Sequence, residues 1–140
     1  AGSEATRTHL INASRSLIYT TALPPITVFW NLQSLRKVQK DTQLSASLFH
    51  NALLLRTLLI KAGFETLGKD YVVPVLCFEN EQALKTAAHL RKLGFWVKAI
   101  RHPTVPKNQA MVRLSVCATH TESCIRDLVD ALIQFQKETT

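Results

Sequence analysis

The chain has 140 residues, 46% of them hydrophobic, enough for a compact domain that buries its own core without staples. Its formal net charge of +7 favours anionic ligands, but the bases are scattered, as in Arg36-Lys37, Lys61 and Arg91-Lys92, and no run of them interleaves with aromatics, so nucleic acid is not expected as a partner. The greasiest stretch, residues 53–60, is cut by Arg56 and is far short of the ~20 apolar residues of a membrane span; the N-terminus lacks a signal-peptide pattern, and a cytoplasmic protein without membrane contact is expected.

In chain order, residues 3–14 predict a short helix with Ser3 as N-cap. Leu17-Ile18-Tyr19 reads as extended, and Thr20-Thr21-Ala22-Leu23-Pro24-Pro25 halts regular structure. Pro25 suits a first helical turn, where its missing N–H costs nothing, and that helix should run to about Lys40. A second long helix spans residues 44–62, with Leu44, Leu48, Ala52, Leu55, Leu59 and Ala62 at helical spacing. Further leucines on its other sides predict that much of it is buried, and Gly63 should stop it.

Residues 72–78 then read as a strand, and Pro74, which has no N–H for a ladder, puts it at a sheet edge. Residues 81–93 predict a helix closed by Gly94, residues 95–100 a second strand and residues 111–117 a third, with Val112, Leu114 and Val116 on one face. Thr119 and Glu122 have capping-box spacing ahead of a last helix whose stripe is Ile125, Leu128, Val129 and Leu132. The expected fold class is α+β: a small, mostly antiparallel three-stranded sheet with helices on one face and the third strand in the centre.

Most familiar chemistries find no support. Cys117, His120 and Cys124 lie close together, but a structural zinc site needs a fourth ligand and none is at hand, so no metal is expected. The odd number of cysteines, Cys77, Cys117 and Cys124, with no CxxC pair, predicts buried free thiols in a reducing compartment. There is no GxSxG, HExxH, GxGxxG or Walker loop, and Asp127 and Asp130 fit a solvated helix face.

Two constellations remain. In Ile100-Arg101-His102-Pro103-Thr104-Val105-Pro106 a guanidinium and a hydroxyl sit three residues apart on a proline-stiffened turn, a pattern suited to a carboxylate. In Thr20-Thr21, two hydroxyls precede a helix start, a place that suits phosphate. Each also has a plain reading: a surface arginine with a turn threonine, and a capped helix.

These segments, with Arg113-Leu114-Ser115 and Ala118-Thr119-His120-Thr121, resemble in order the C-terminal portion of the α-oxoamine synthases, a family of pyridoxal-phosphate enzymes of fold type I. The resemblance covers essentially the whole chain but only about the last third of such an enzyme, and it is nearest to the branch serving biotin biosynthesis. It implies residues 1–40 as the end of the large domain and a connecting helix, and residues 41–140 as the C-terminal small domain. It implies a homodimeric acyltransferase that condenses L-alanine with pimeloyl-CoA or pimeloyl-acyl carrier protein and releases carbon dioxide. By position, Arg101 matches the arginine that holds the amino-acid carboxylate, and Thr104 the threonine beside the substrate. Thr20 and Thr21 fall where hydroxyls reach the cofactor phosphate of the neighbouring subunit.

The chain departs from the family pattern at His102, where a proline is usual, and at Asn108-Gln109-Ala110-Met111-Val112-Arg113, where Gly-Thr-x-Arg-Leu-Arg is common. Asn can replace Gly at a left-handed position. None of the lysines matches the context of the family's Schiff-base lysine, which is expected upstream of Ala1, so this chain reads as an enzyme fragment, inactive alone. A sibling synthase using another amino acid, a non-catalytic anion-binding α+β module and a dimer-forming structural domain are the alternatives.

Overall fold

Helices and strands follow the order α1 (Glu4–Ala13), α2 (Arg15–Ile18), α3 (Pro25–Lys40), α4 (Thr42–Lys61), β1 (Val72–Phe78), α5 (Asn80–Lys92), β2 (Lys98–Ile100), β3 (Ala110–Ser115) and α6 (Glu122–Thr139). The source is a computed structural model that describes residues 2–139. The chain divides into two compact units, Ala1–Lys40 and Asp41–Thr140.

In the first unit Ser3 caps α1, its hydroxyl accepting the Thr6 N–H at 3.1 Å. The extended reading of Leu17-Ile18-Tyr19 is corrected: Leu17 and Ile18 lie in the single turn of α2, with their N–H groups on the Ser14 carbonyl at 3.0 and 2.9 Å. Among the described residues no strand pairs there, so local helical bonds satisfy a backbone that would otherwise need a partner. α3 begins at Pro25, and the Pro24 carbonyl accepts the N–H groups of Thr27 and Val28. No residue of α1, α2 or α3 is buried, and Ile26, Phe29 and Trp30 are each more than half exposed.

The second unit is built on a sheet of order β1-β3-β2, antiparallel throughout. Val73 pairs with Leu114 and Val75 with Val112, and these four buried side chains define the sheet's inner face. α5 packs along all three strands, while α4 packs on α6 and β1. Leu55 and Leu59 of α4, Leu90 of α5, and Ile125, Val129 and Leu132 of α6 close the core. β1 is an edge strand, as Pro74 requires, and its open side is partly covered: Leu76 N–H donates to the Glu65 carbonyl and Leu67 N–H to that of Pro74.

Three further expectations change. The second strand is shorter than residues 95–100, covering only Lys98–Ile100. Gly94, at φ +92°, turns the chain out of α5, and the Phe95 N–H bonds back to the Leu90 carbonyl, so residues 95–97 are spent leaving the helix. The capping box on Thr119 and Glu122 does not form; α6 begins at Glu122, and the hydroxyl of Thr121 accepts the Cys124 N–H at 3.2 Å. α4 buries one stripe rather than most of its surface: Asn51, Ala52, Leu55 and Leu59 are inside, whereas Phe49, Leu53 and Ile60 are more than half exposed.

Two side chains of α4 tie loops to the core. Buried Asn51 donates through Nδ2 to the Cys117 and His120 carbonyls at 3.2 and 2.8 Å, which fixes the link between β3 and α6. Arg56 donates to the carbonyls of Leu67 and Asp70 at 2.8 and 3.0 Å, which holds the approach to β1.

Asn51→Ala should cost roughly 1–3 kcal/mol, because it removes the donor from two inward carbonyls; urea unfolding followed by circular dichroism measures this, and an unchanged midpoint would remove Asn51 from the account. The exposed apolar side chains of α3 should make the 140-residue chain bind a hydrophobic dye or self-associate, and a dye-negative monomer in solution would contradict that.

Candidate functional site

β2 and β3 pair as far as Ile100 with Met111, and the loop they enclose carries the predicted carboxylate receptor. Arg101 is the first residue beyond β2, and its carbonyl accepts the Val105 N–H at 3.2 Å, closing a turn that includes Thr104. The His102–Pro103 peptide inside this turn is cis. A second turn follows, with the Gln109 N–H on the Pro106 carbonyl at 3.3 Å, and Asn108 takes φ +62°. That is the left-handed conformation for which an Asn can stand in place of Gly.

The loop is anchored from outside as well. Asn80, the first residue of α5, accepts the His102 N–H through Oδ1 at 3.1 Å. Asn108 stands out in the sequence, but Asn80 does not. Asn108 carried a signal in its departure from a glycine, whereas Asn80 bonds a residue 22 positions away and no local pattern announces that.

Arg101 and Thr104 are therefore brought together on one exposed turn of the second unit. Among the described residues no carboxylate pairs with Arg101, so its planar set of donors is open to a ligand. Thr20 and Thr21 lie in the first unit, exposed, between α2 and α3. They do not cap α3, whose first turn bonds to the Pro24 carbonyl, and among the described residues their hydroxyls make no hydrogen bond. Each pair is defined within its own unit.

The cysteines differ from expectation, since none is fully buried: Cys117 is exposed, while Cys77 and Cys124 are half-buried. Cys117 lies beyond the end of β3, and Cys124 is in the first turn of α6, where neither is enclosed on all sides. Partial burial pushes the Cys77 thiol up, and a hydrogen bond with the Thr86 hydroxyl only partly offsets it. Among the described residues no three His, Cys, Asp or Glu side chains gather to hold a metal ion. His120 serves the backbone instead: its Nδ1 accepts the Cys117 N–H at 3.2 Å, which places the proton of the neutral ring on Nε2.

A raised thiol holds less thiolate at a given pH, so alkylation near neutral pH should modify exposed Cys117 first and Cys77 last. Timed iodoacetamide labelling with peptide mass analysis gives the order, and rapid labelling of Cys77 would contradict it.

With this geometry in hand, comparison with known proteins gives a consistent result. The model of the family described as aminotransferase class I and II matches residues 1–132. An 8-amino-7-oxononanoate synthase of Xanthomonas oryzae pv. oryzae is 37% identical over 134 residues, covering 95% of this chain and 33% of the relative. The enzyme of the same name from Chlorobaculum parvum is 41% identical over 112 residues, covering 80% of this chain and 29% of its own length. This chain thus spans about a third of the length of the curated relatives it matches. Among solved structures, a serine palmitoyltransferase from S. paucimobilis with bound PLP–myriocin superposes at a TM-score of 0.85 with 27% identity, covering 94% of this chain and 34% of that one. An 8-amino-7-oxononanoate synthase from Francisella tularensis shares the fold at a TM-score of 0.82 with 24% identity, covering 99% of this chain and 41% of that one. Among the described residues no helix is long and apolar enough to cross a membrane.

Proposed function

This chain belongs to the aminotransferase class I and II family, and we propose that it is the C-terminal part of an 8-amino-7-oxononanoate synthase. In this reading the complete enzyme is a cytoplasmic homodimer that joins L-alanine to a pimeloyl thioester, held by coenzyme A or a carrier protein, and releases carbon dioxide. The observation that carries it is Arg101, unpaired on a doubly anchored turn in a chain 37% identical to a synthase of that name.

The family's cofactor is pyridoxal phosphate, which supplies an electron sink for negative charge at the amino-acid α-carbon. The residues present fit part of that group's needs. Thr20 and Thr21 offer two exposed hydroxyls to a phosphate, and the resemblance assigns that phosphate to the neighbouring subunit. No lysine here has the context of the family's Schiff-base residue, so that task falls to the part of the enzyme preceding these 140 residues.

The work of this chain is to bind and orient. Arg101 takes both oxygens of the alanine carboxylate in its planar fork, and Thr104 places a hydroxyl beside the substrate. Because the Arg101 turn is closed on Val105 and anchored on Asn80, the guanidinium sits on a braced backbone. Fixing the carboxylate fixes the bonds around the α-carbon, which is the positioning that a carbon–carbon bond-forming step requires. Residues 1–40 form the end of the large domain with its connecting helix, and residues 41–140 the small domain. The absence of buried residues in α1, α2 and α3 supports this, since such helices need a partner to cover their apolar side chains.

A second reading is a sibling synthase that accepts serine or glycine, favoured by the superposition on the serine palmitoyltransferase. Substrate profiling separates the two: the first reading expects alanine with a pimeloyl thioester as the best pair, and a preference for serine with a longer acyl chain would replace it.

In the full-length enzyme Arg101→Ala should raise the KM for the amino acid roughly 10- to 100-fold, the equivalent of a lost charge-assisted hydrogen-bond pair. Arg101→Lys should recover only part of it, because a point charge lacks the fork. Unchanged alanine kinetics in Arg101→Ala would overturn the assignment.

A further inference from the structure

Two neighbouring residues break local rules where β1 hands over to α5. β1 ends in a bulge: Leu76 pairs with Met111 and Phe78 with Ala110, so Cys77 is an extra residue without a partner on β3. Phe78 then takes φ +62°, and across it the Glu79 N–H donates to the Cys77 carbonyl at 2.7 Å. A hydrogen bond that spans one left-handed residue is the pattern of the strained γ-turn. Glycine would sit there freely, whereas a bulky aromatic is a poor fit.

The second irregularity follows at once. Glu79 is the N-cap of α5, and its side chain makes no capping hydrogen bond. Asn80 has the better capping side chain, but it stands one residue too late and turns its Oδ1 to the His102 N–H at 3.1 Å. Both residues thus forgo what would stabilise their own elements, and both serve the loop that carries Arg101. Phe78 lines one depression with His102, Lys107 and Asn108 of that loop, and a second with Leu132 and Phe135 of α6. Its half-exposed side chain stands as a post between α6 and the loop.

We propose that Phe78 and Asn80 are positioning residues for Arg101. The γ-turn aims Asn80 at the loop, and the ring of Phe78 props the loop from the side. Together they hold the arginine's backbone where it receives the amino-acid carboxylate, and neither touches the substrate. Glycine at position 78 would keep the turn without strain but remove the prop. Strain that persists where a simpler residue would relieve it marks a place where the site, not the local fold, sets the residue. The inference rests on the reading of Arg101 as the carboxylate-binding residue.

Phe78→Gly separates stability from binding, because it removes the strain and the ring together. In the 140-residue chain its urea midpoint, followed by circular dichroism, should equal or exceed that of the parent, while amide exchange at His102, Val105 and Gln109 speeds up. In the full-length enzyme Phe78→Gly and Asn80→Ala should each raise the KM for the amino acid roughly three- to tenfold, the range of one ordinary hydrogen bond, and leave the KM for the thioester unchanged. Phe78→Tyr keeps the ring and should keep the parent KM. His102→Pro removes the donor, so adding Asn80→Ala to it should raise the KM no further.

Unchanged exchange and unchanged KM in Phe78→Gly would show the ring to be idle and overturn the proposal. So would a midpoint that falls in step with the rise in KM, which would assign both residues to the fold alone, or an Asn80→Ala effect that persists in full on His102→Pro. A raised KM in Arg101→Ala with no change in Phe78→Gly and Asn80→Ala overturns this inference and spares the carboxylate reading. An unchanged KM in Arg101→Ala overturns that reading, and the exchange rates then still decide whether Phe78 and Asn80 hold the loop.

Discussion

The second unit depends on β3 being shared. It is the central strand, paired on one side with β1 and on the other with β2, and all the ladder bonds of the sheet pass through it. β2 is only three residues long and would not persist alone, so its position, and with it that of Arg101 one residue further on, is set by its register on β3. β3 also supplies Val112 and Leu114 to the core beneath the helices. Hydrophobic burial on one face therefore fixes the register, and the register delivers the loop at the end of the sheet.

Much of this unit could be read from the residues. Pro74 announced an edge strand, and the alternation of Val112, Leu114 and Val116 gave the inner face of β3, because a two-residue period is a direct imprint of the pleat. Gly63 and Gly94 marked helix ends, both at positive φ. The misreadings share a cause: they lie where local and tertiary bonds compete. Leu17-Ile18-Tyr19 has strand-like composition, yet among the described residues no strand pairs with it. Thr119 has the right spacing to Glu122, but the turn from Cys117 to His120 takes it, and Thr121 is left as the cap. The leucine-rich α4 looked apolar on all sides because hydrophobicity alone does not say how many neighbours will come to cover it.

The candidate site was legible in part. Arg101 and Thr104 stood out as residue types on a stiff turn, and the structure puts them on one turn. What holds that turn was not legible, since Asn80 acts across a sequence gap with no periodicity to reveal it. Thr20 and Thr21 were visible as hydroxyls near a helix start, and the structure shows them free of the capping duty that a local reading would give them.

The bond from His102 to Asn80 has a consequence for anyone wishing to move this loop into another scaffold. The heptapeptide from Ile100 to Pro106 looks portable, a ready-made cassette with its own prolines. It is not self-sufficient, because one of its backbone groups is satisfied by the opening residue of a helix that precedes it by two elements. A graft of residues 100–106 alone would carry the arginine but lose its brace. The smallest unit with a chance of retaining the geometry runs from Asn80 through β3, so the transferable cassette is a helix with two strands rather than a loop.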